Sequence, residues 1–168
     1  MLINMKKFLP ALGFLILAGL FLGWWFQPAN VLKRRIGSLF HTAEVPVTMS
    51  DLARSSRGPN VADYLAERVQ VGAPDQVDNR IRDSYHRDDI AGIYSAVARS
   101  CSQISLEKPE FESIEIAGTT AKIRLRIDII VELPSRRPID GIQIMDMTWE
   151  KSENDWRLSS ISWTETSR

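Results

Sequence analysis

Tyr85-His86-Arg87-Asp88-Asp89 is the densest cluster of chemistry-bearing side chains in this chain. An imidazole oriented by a carboxylate can serve as a general base, and a neighbouring phenol can donate to a developing oxyanion. The competing reading is a polar loop whose aspartates cap the helix that follows. His41 and His86 are the only histidines, and neither stands at metal-ligand spacing with Asp88 or Asp89, so no metal is expected. No Gly-rich phosphate loop and no Gly-x-Ser-x-Gly elbow occurs, and no cofactor is expected. The lone Cys101 excludes an internal disulfide and reads as a small buried apolar residue. Tyr64, Tyr94, Trp149 and Trp163 could line a ligand cavity or simply fill a core.

The elements that must position these groups follow from periodicity. Residues 28–45 read as a helix with Val31, Leu32, Ile36, Leu39 and Phe40 at helical spacing. Short helices are expected over 49–55, capped by Thr48 or Ser50, and over 61–67, capped by Asn60 after a 56–60 turn. Short strands are expected over 68–72 and 80–84. Asp88 or Asp89 then opens a helix carrying Ile90, Ile93, Tyr94, Val97 and Cys101 on one side.

The clearest signal runs from Ala121 to Leu133, where odd positions are apolar and even positions are mostly charged. That alternation is a long half-buried antiparallel strand. Its six large inward residues contribute at most roughly 9–18 kcal/mol when buried. A loop over 134–140 leads to a strand over 141–151 with Met145, Met147 and Trp149 inward. The expected register places Arg126 opposite Asp146 and Lys122 opposite Glu150. A last strand, 156–163, needs a bulge near Ser159-Ser160 to bring Trp156, Leu158, Ile161 and Trp163 to one face.

At the other end, Phe8 to Phe26 carries no charge and closes on Trp24-Trp25-Phe26. As one helix of nineteen residues it would reach about 28 Å, close to a hydrocarbon core. The expectation is a basic tail at 1–7, a single-pass membrane anchor at 8–27, and a domain at 46–168 lying outside the cytoplasm, in the periplasm of a bacterium. A cleaved signal is disfavoured by the bulky residues where a peptidase wants small ones.

The chain has 21 basic and 21 acidic residues, and without Lys6 and Lys7 the balance is 19 against 21. That argues against nucleic acid as a partner. About 140 residues after the apolar run suffice for one core.

Helices first, then a long sheet ending in Trp156-x-Leu158-x-x-Ile161-x-Trp163, resembles the nuclear transport factor 2-like superfamily, and in particular its membrane-anchored bacterial members. The resemblance covers most of 29–165 and implies an α+β fold in which a cone-shaped, curved antiparallel sheet wraps around helices. It also implies a cavity, expected here to be lined by Tyr64, Tyr85, His86, Met147 and Trp149. That superfamily holds isomerases, hydrolases and polyketide cyclases beside non-catalytic modules, so the fold alone does not assign chemistry. The main expectation is a membrane-tethered binding or assembly module without catalysis, able to pair with a second copy through its outer sheet face. The alternatives are a small cavity enzyme of the isomerase or cyclase type, or a carrier of a small apolar ligand.

Overall fold

The computed structural model describes residues 17–72, 83–134, 136–153 and 155–166. Its contacts divide the chain into two compact units, 1–34 and 35–168, with the division inside one helix.

In the first unit the described chain is helical over 17–25, labelled α1. No helix among the described residues is long and apolar enough to cross a membrane. The anchor expected at 8–27 is therefore corrected, and with it the single-pass topology, the membrane partner and the periplasmic placement that rested on it. Residues 8–16 of that expected span lie outside the described residues. The end of α1 has a local cause: Gln27 precedes Pro28, and a residue before proline is pushed out of the helical region. Two side chains then close the end of α1. Asn30 Nδ2 donates to Trp24 O at 2.7 Å and Arg34 Nη2 to Trp25 O at 2.8 Å, while the Arg34 guanidinium lies 4.1 Å from the Trp25 ring centre.

Helix α2 spans Pro28–Ala43. In the second unit α3 is Asp51–Ser55, capped by the Ser50 hydroxyl as expected, and α4 is Arg57–Ala62. The sequence reading put a turn at 56–60 and a helix after it. Pro59 instead sits in the first turn of α4, where a missing N–H costs nothing, and Leu65 already begins a strand. Helix α5, Arg87–Ser100, is capped by His86 and not by Asp88 or Asp89, which occupy its first turn. Its orientation also differs from expectation. Ala91 and Ala98 are buried, while Ile93 is 55% and Val97 40% exposed. Gly58 explains the rotation. A Cβ there would meet Ala91 O at 2.0 Å and Ser95 Oγ at 2.1 Å, so α4 rests directly on the small-residue side of α5.

Among the described residues the sheet has seven strands: β1 Leu65–Gly72, β2 Asp83–His86, β3 Gln103–Leu106, β4 Glu110–Ala117, β5 Thr120–Glu132, β6 Ile139–Ser152 and β7 Asp155–Thr166. The order is β2-β1-β7-β6-β5-β3, with β4 on the same side of β5 as β3. The β1–β7 pairing is parallel, so the sheet is mixed and not wholly antiparallel. The expected strand start at residue 80 falls partly on residues 80–82, outside the described residues. Ala121, Ile123, Leu125 and Ile127 of β5 are buried, as are Met145, Met147 and Trp149 of β6. The alternation thus faces as expected.

Two details of register were expected and one fails. Ser160 pairs with Thr148 and Leu158 with Trp149, which leaves Ser159 as the extra residue of a bulge. Beyond it, Ile161 pairs with Met147 and Trp163 with Met145, so all four expected residues share the inner face. The β5–β6 register, however, is shifted by two residues. Asp146 lies opposite Arg124, while Lys122 meets Thr148 and Arg126 meets Ile144. The basic stripe is balanced from the other side, by β4, which periodicity did not reveal: Lys122 lies opposite Glu115 and Arg126 opposite Glu110. Arg124 Nε stands 3.2 Å from Glu112 and its Nη1 3.5 Å from Asp146. All these side chains are exposed, so each pair contributes little.

Arg54 ties the helices to the strand side of the domain. It is 7% exposed and surrounded by backbone carbonyls. Its Nε donates to Met49 O at 3.0 Å, its Nη1 to Ala98 O at 3.2 Å and to Cys101 O, and its Nη2 to Ser102 O at 3.0 Å. Ala98 and Cys101 are the unpaired carbonyls at the end of α5, where helix geometry leaves acceptors and partial negative charge. Arg54→Met should destabilise the protein by about 3 kcal/mol, roughly 10 °C in Tm, because several buried acceptors lose their donor together. Thermal denaturation followed by circular dichroism checks this. A shift under 2 °C would show the carbonyls find other donors.

Candidate functional site

The inner face of the sheet is where the expected site residues converge in part. Met147 lies between Ile123 and Ile161, and Trp149 between Ala121 and Leu158. Both are buried, Trp149 completely. Tyr64 turns to α2: its ring stacks 4.4 Å from the Arg35 guanidinium carbon, and its hydroxyl is 3.4 Å from Thr42 Oγ1. Tyr85 pairs with Val69 across β1 and β2, and His86 with Arg68. The structure thus groups Met147 with Trp149, directs Tyr64 to a helix, and carries Tyr85 and His86 on the sheet edge.

His86 has a local task. Its Nδ1 accepts from Asp88 N at 3.3 Å, which places the ring proton of the neutral imidazole on Nε2. The Asp88 carboxylate stands 3.5 Å from the same Nδ1. The atom a general base would use is therefore occupied in capping α5.

Tyr94 is held elsewhere. Its hydroxyl donates to Ala43 O at the end of α2. Burial pushes its pKa up to about 12, opposed by Arg57 and slightly reinforced by Cys101. Burial also raises the Cys101 thiol, with Arg54 pulling the other way. Neither group is a ready nucleophile or base at neutral pH.

Two polar side chains on the inner face were missed by the sequence reading. The register places Gln143 opposite Ile127 on one side and Glu165 on the other. Ile127 is buried, so Gln143 and Glu165 share the inner face two rows beyond Met147. Next to them, Gly141 pairs with Ile129. A Cβ on Gly141 would meet Glu165 Oε1 at 3.0 Å and Gln143 Nε2 at 3.5 Å. The glycine therefore makes the room that the carboxylate and the amide occupy. Gln143 Oε1 is screened from solvent and has no hydrogen-bond partner among the described residues; the same holds for Trp149 Nε1 at the other end of the face. Nearly all buried polar atoms in native proteins are paired, so such exceptions ask for an explanation.

The grooves of the surface are of another character. Two, of about 300 and 380 Å³, cross the outer face and share Thr148 and Ser160. A third, of about 730 Å³, lies between the start of β1 and the β6–β7 turn, where Arg68, Arg87 and Arg157 meet Glu67, Glu150, Glu153 and Asp155. Its three basic and four acidic side chains leave it close to neutral. Among the described residues no group of His, Cys, Asp and Glu could hold a metal ion.

Raising the pH provides a check on the Tyr94 environment. Its folded pKa lies above the ordinary value of 10, so its contribution is fully present below pH 10 and is lost as the pH climbs through about 12. Urea denaturation between pH 9 and 12 should show stability falling for the parent chain and a flatter profile for Tyr94→Phe. Parallel profiles would mean the phenol is not held protonated by burial.

No protein-family model matches this chain, and no curated protein does. Solved structures do. A protein from Kribbella flavida superposes with a TM-score of 0.65 at 12% identity, covering 83% of this chain and 90% of that one. A candidate scytalone dehydratase from Novosphingobium aromaticivorans gives 0.61 at 15% identity over 83% and 84%. A candidate dehydratase of the nuclear transport factor 2-like family from Streptomyces avermitilis gives 0.61 at 9% identity over 83% and 97%. At such identities the likeness establishes the fold and nothing finer.

Proposed function

With the nuclear transport factor 2-like fold as premise, we propose that this domain binds a small, largely apolar molecule against the inner face of its sheet. The observation that carries the reading is the unpaired amide oxygen of Gln143 on an otherwise apolar surface. The half-buried Ile129 and Trp163 supply contact area over the buried Leu125, Ile127 and Met145, and a single unsatisfied acceptor beside them supplies orientation. A ligand bearing one hydrogen-bond donor would meet both demands. The membrane-bound version of a binding module does not stand; binding itself does not depend on it.

A second reading, a cavity enzyme, is favoured by the likeness to the two candidate dehydratases. Dehydration and related isomerisations need a base facing an apolar substrate. Glu165 is the carboxylate that the register brings to that end of the inner face. Tyr85, His86 and Tyr64 would then serve only if a substrate reached them, and His86 would first have to leave its capping bond.

The test is calorimetric titration of the full chain with 2-naphthol. Saturable one-to-one binding is expected, weakened roughly 2- to 10-fold by Gln143→Leu, the range of one hydrogen bond. Heat that never saturates, or an affinity indifferent to Gln143→Leu, would overturn the proposal.

A further inference from the structure

The solvent side of α5 carries a pattern that the fold itself does not use. Ile93 is 55% and Val97 40% exposed, and Gly92 and Ala96 beside them are exposed as well. Glycine in a helix interior is destabilising relative to alanine. At Gly58 the close approach of α5 requires it, whereas at Gly92 a Cβ would meet nothing within 4 Å. Gly92 stands open at the edge of a groove of about 470 Å³ between α4 and α5. Helical spacing puts Gly92 and Ala96 on one flank of the stripe and Ile93 and Val97 on the other. Opposite charges mark its two ends, Asp89 in the first turn and Arg99 in the last. Neither makes an ion pair among the described residues, and Arg99 Nε donates to Ser95 O of its own helix at 3.3 Å.

We propose that this face docks a second copy of the chain, α5 against α5, antiparallel about a two-fold axis. One register serves every group on the stripe. Gly92 lies opposite Ala96, Ile93 opposite Val97 and Asp89 opposite Arg99 of the second copy, and symmetry makes each contact twice. The small flank lets the two backbones approach, while Ile93 and Val97 close the other flank with hydrocarbon. A parallel arrangement would set Asp89 against Asp89 and Arg99 against Arg99 and would align the two helix dipoles, so charge selects the antiparallel one. An unrelated partner would have to match this order of sizes and charges, whereas a second copy matches it by symmetry. A single helix pair buries less than the roughly 1,200 Å² of stable complexes, so the dimer is weak and depends on concentration. It is distinct from the pairing through the outer sheet face expected from the sequence, and it uses no residue of the inner face.

Sedimentation equilibrium of the full chain at low salt, from roughly 20 μM to 1 mM, reads the association directly. A monomer–dimer equilibrium is expected. Asp89→Arg or Arg99→Asp alone should weaken it about 10-fold, because each reversal creates two like-charge contacts per dimer, and the double variant should return to within about 2-fold of the parent. Gly92→Leu should raise Tm by about 3 °C, since a better helix former enters open space, and yet abolish the dimer by filling the line of approach. Association through the exposed Leu20, Phe21 and Trp24 of α1 would ignore all of these changes. No dimer at the highest concentration, association indifferent to Gly92→Leu, or a double variant no better than the single reversals would overturn the proposal. A dimer lost with Thr148→Arg on the outer sheet face but kept with Gly92→Leu would do the same.

Discussion

The pairing of β5, β6 and β7 governs everything else in this domain. Fixing Leu125 against Met145 and Met145 against Trp163 decides which side chains point inward along three long strands. A slip of one residue would carry Lys122, Arg124 and Arg126 into the core and Ile123, Leu125 and Ile127 into water, a change no local adjustment could offset. The bulge at Ser159 belongs to the same constraint. Without its extra residue, the half of β7 holding Ile161 and Trp163 would present the wrong parity to Met147 and Met145. The register that seals the core is also what brings Gln143 and Glu165 side by side.

Polar contacts tie the helices to one another, while Val45, Ala98 and Cys101 pack as an apolar cluster on Ile104 of β3. Arg54 gathers carbonyls from the approach to α3 and from the end of α5, and Tyr94 donates to the end of α2. At Gly58 the backbone of α4 sits directly on α5. These contacts account for the exposure of Ile93 and Val97: a helix held by its Ala91–Ser95–Ala98 side cannot also bury the opposite one. Among the described residues no carboxylate pairs with this buried guanidinium, and several carbonyl dipoles sustain it instead.

Much of this was legible in the residues, for physical reasons. Strict alternation in β5 and the parity switch within β7 are period-2 signals, and they gave the strands, their facing and the bulge. The β5–β6 register was not legible, because the charge pattern rewards either of two offsets; Arg124 opposite Asp146 satisfies it as well as Arg126 would. Strand β4 escaped because its bulge at Phe111–Ser113 breaks the alternation. Gln143 carried a visible sign, a polar residue in the inward parity of Met145, Met147 and Trp149. Glu165 likewise continues the parity of Ile161 and Trp163 beyond the expected end of β7. Arg54 had none, since its partners are backbone atoms up to 48 residues away. The apolar run before Gln27 was read as a span from its hydropathy, but no helix among the described residues is long and apolar enough to cross a membrane.

The central claim is that the inner face, at its Gln143–Glu165 end, is a binding surface. Backbone amide shifts in a nitrogen-15 spectrum, recorded while 2-naphthol is added, read that claim residue by residue. The account predicts saturable shifts confined to Ile127, Ile129, Gly141, Gln143 and Glu165 and their neighbours. Shifts clustered instead at Arg124, Thr148 and Ser160 on the outer face, or none at all, would contradict it.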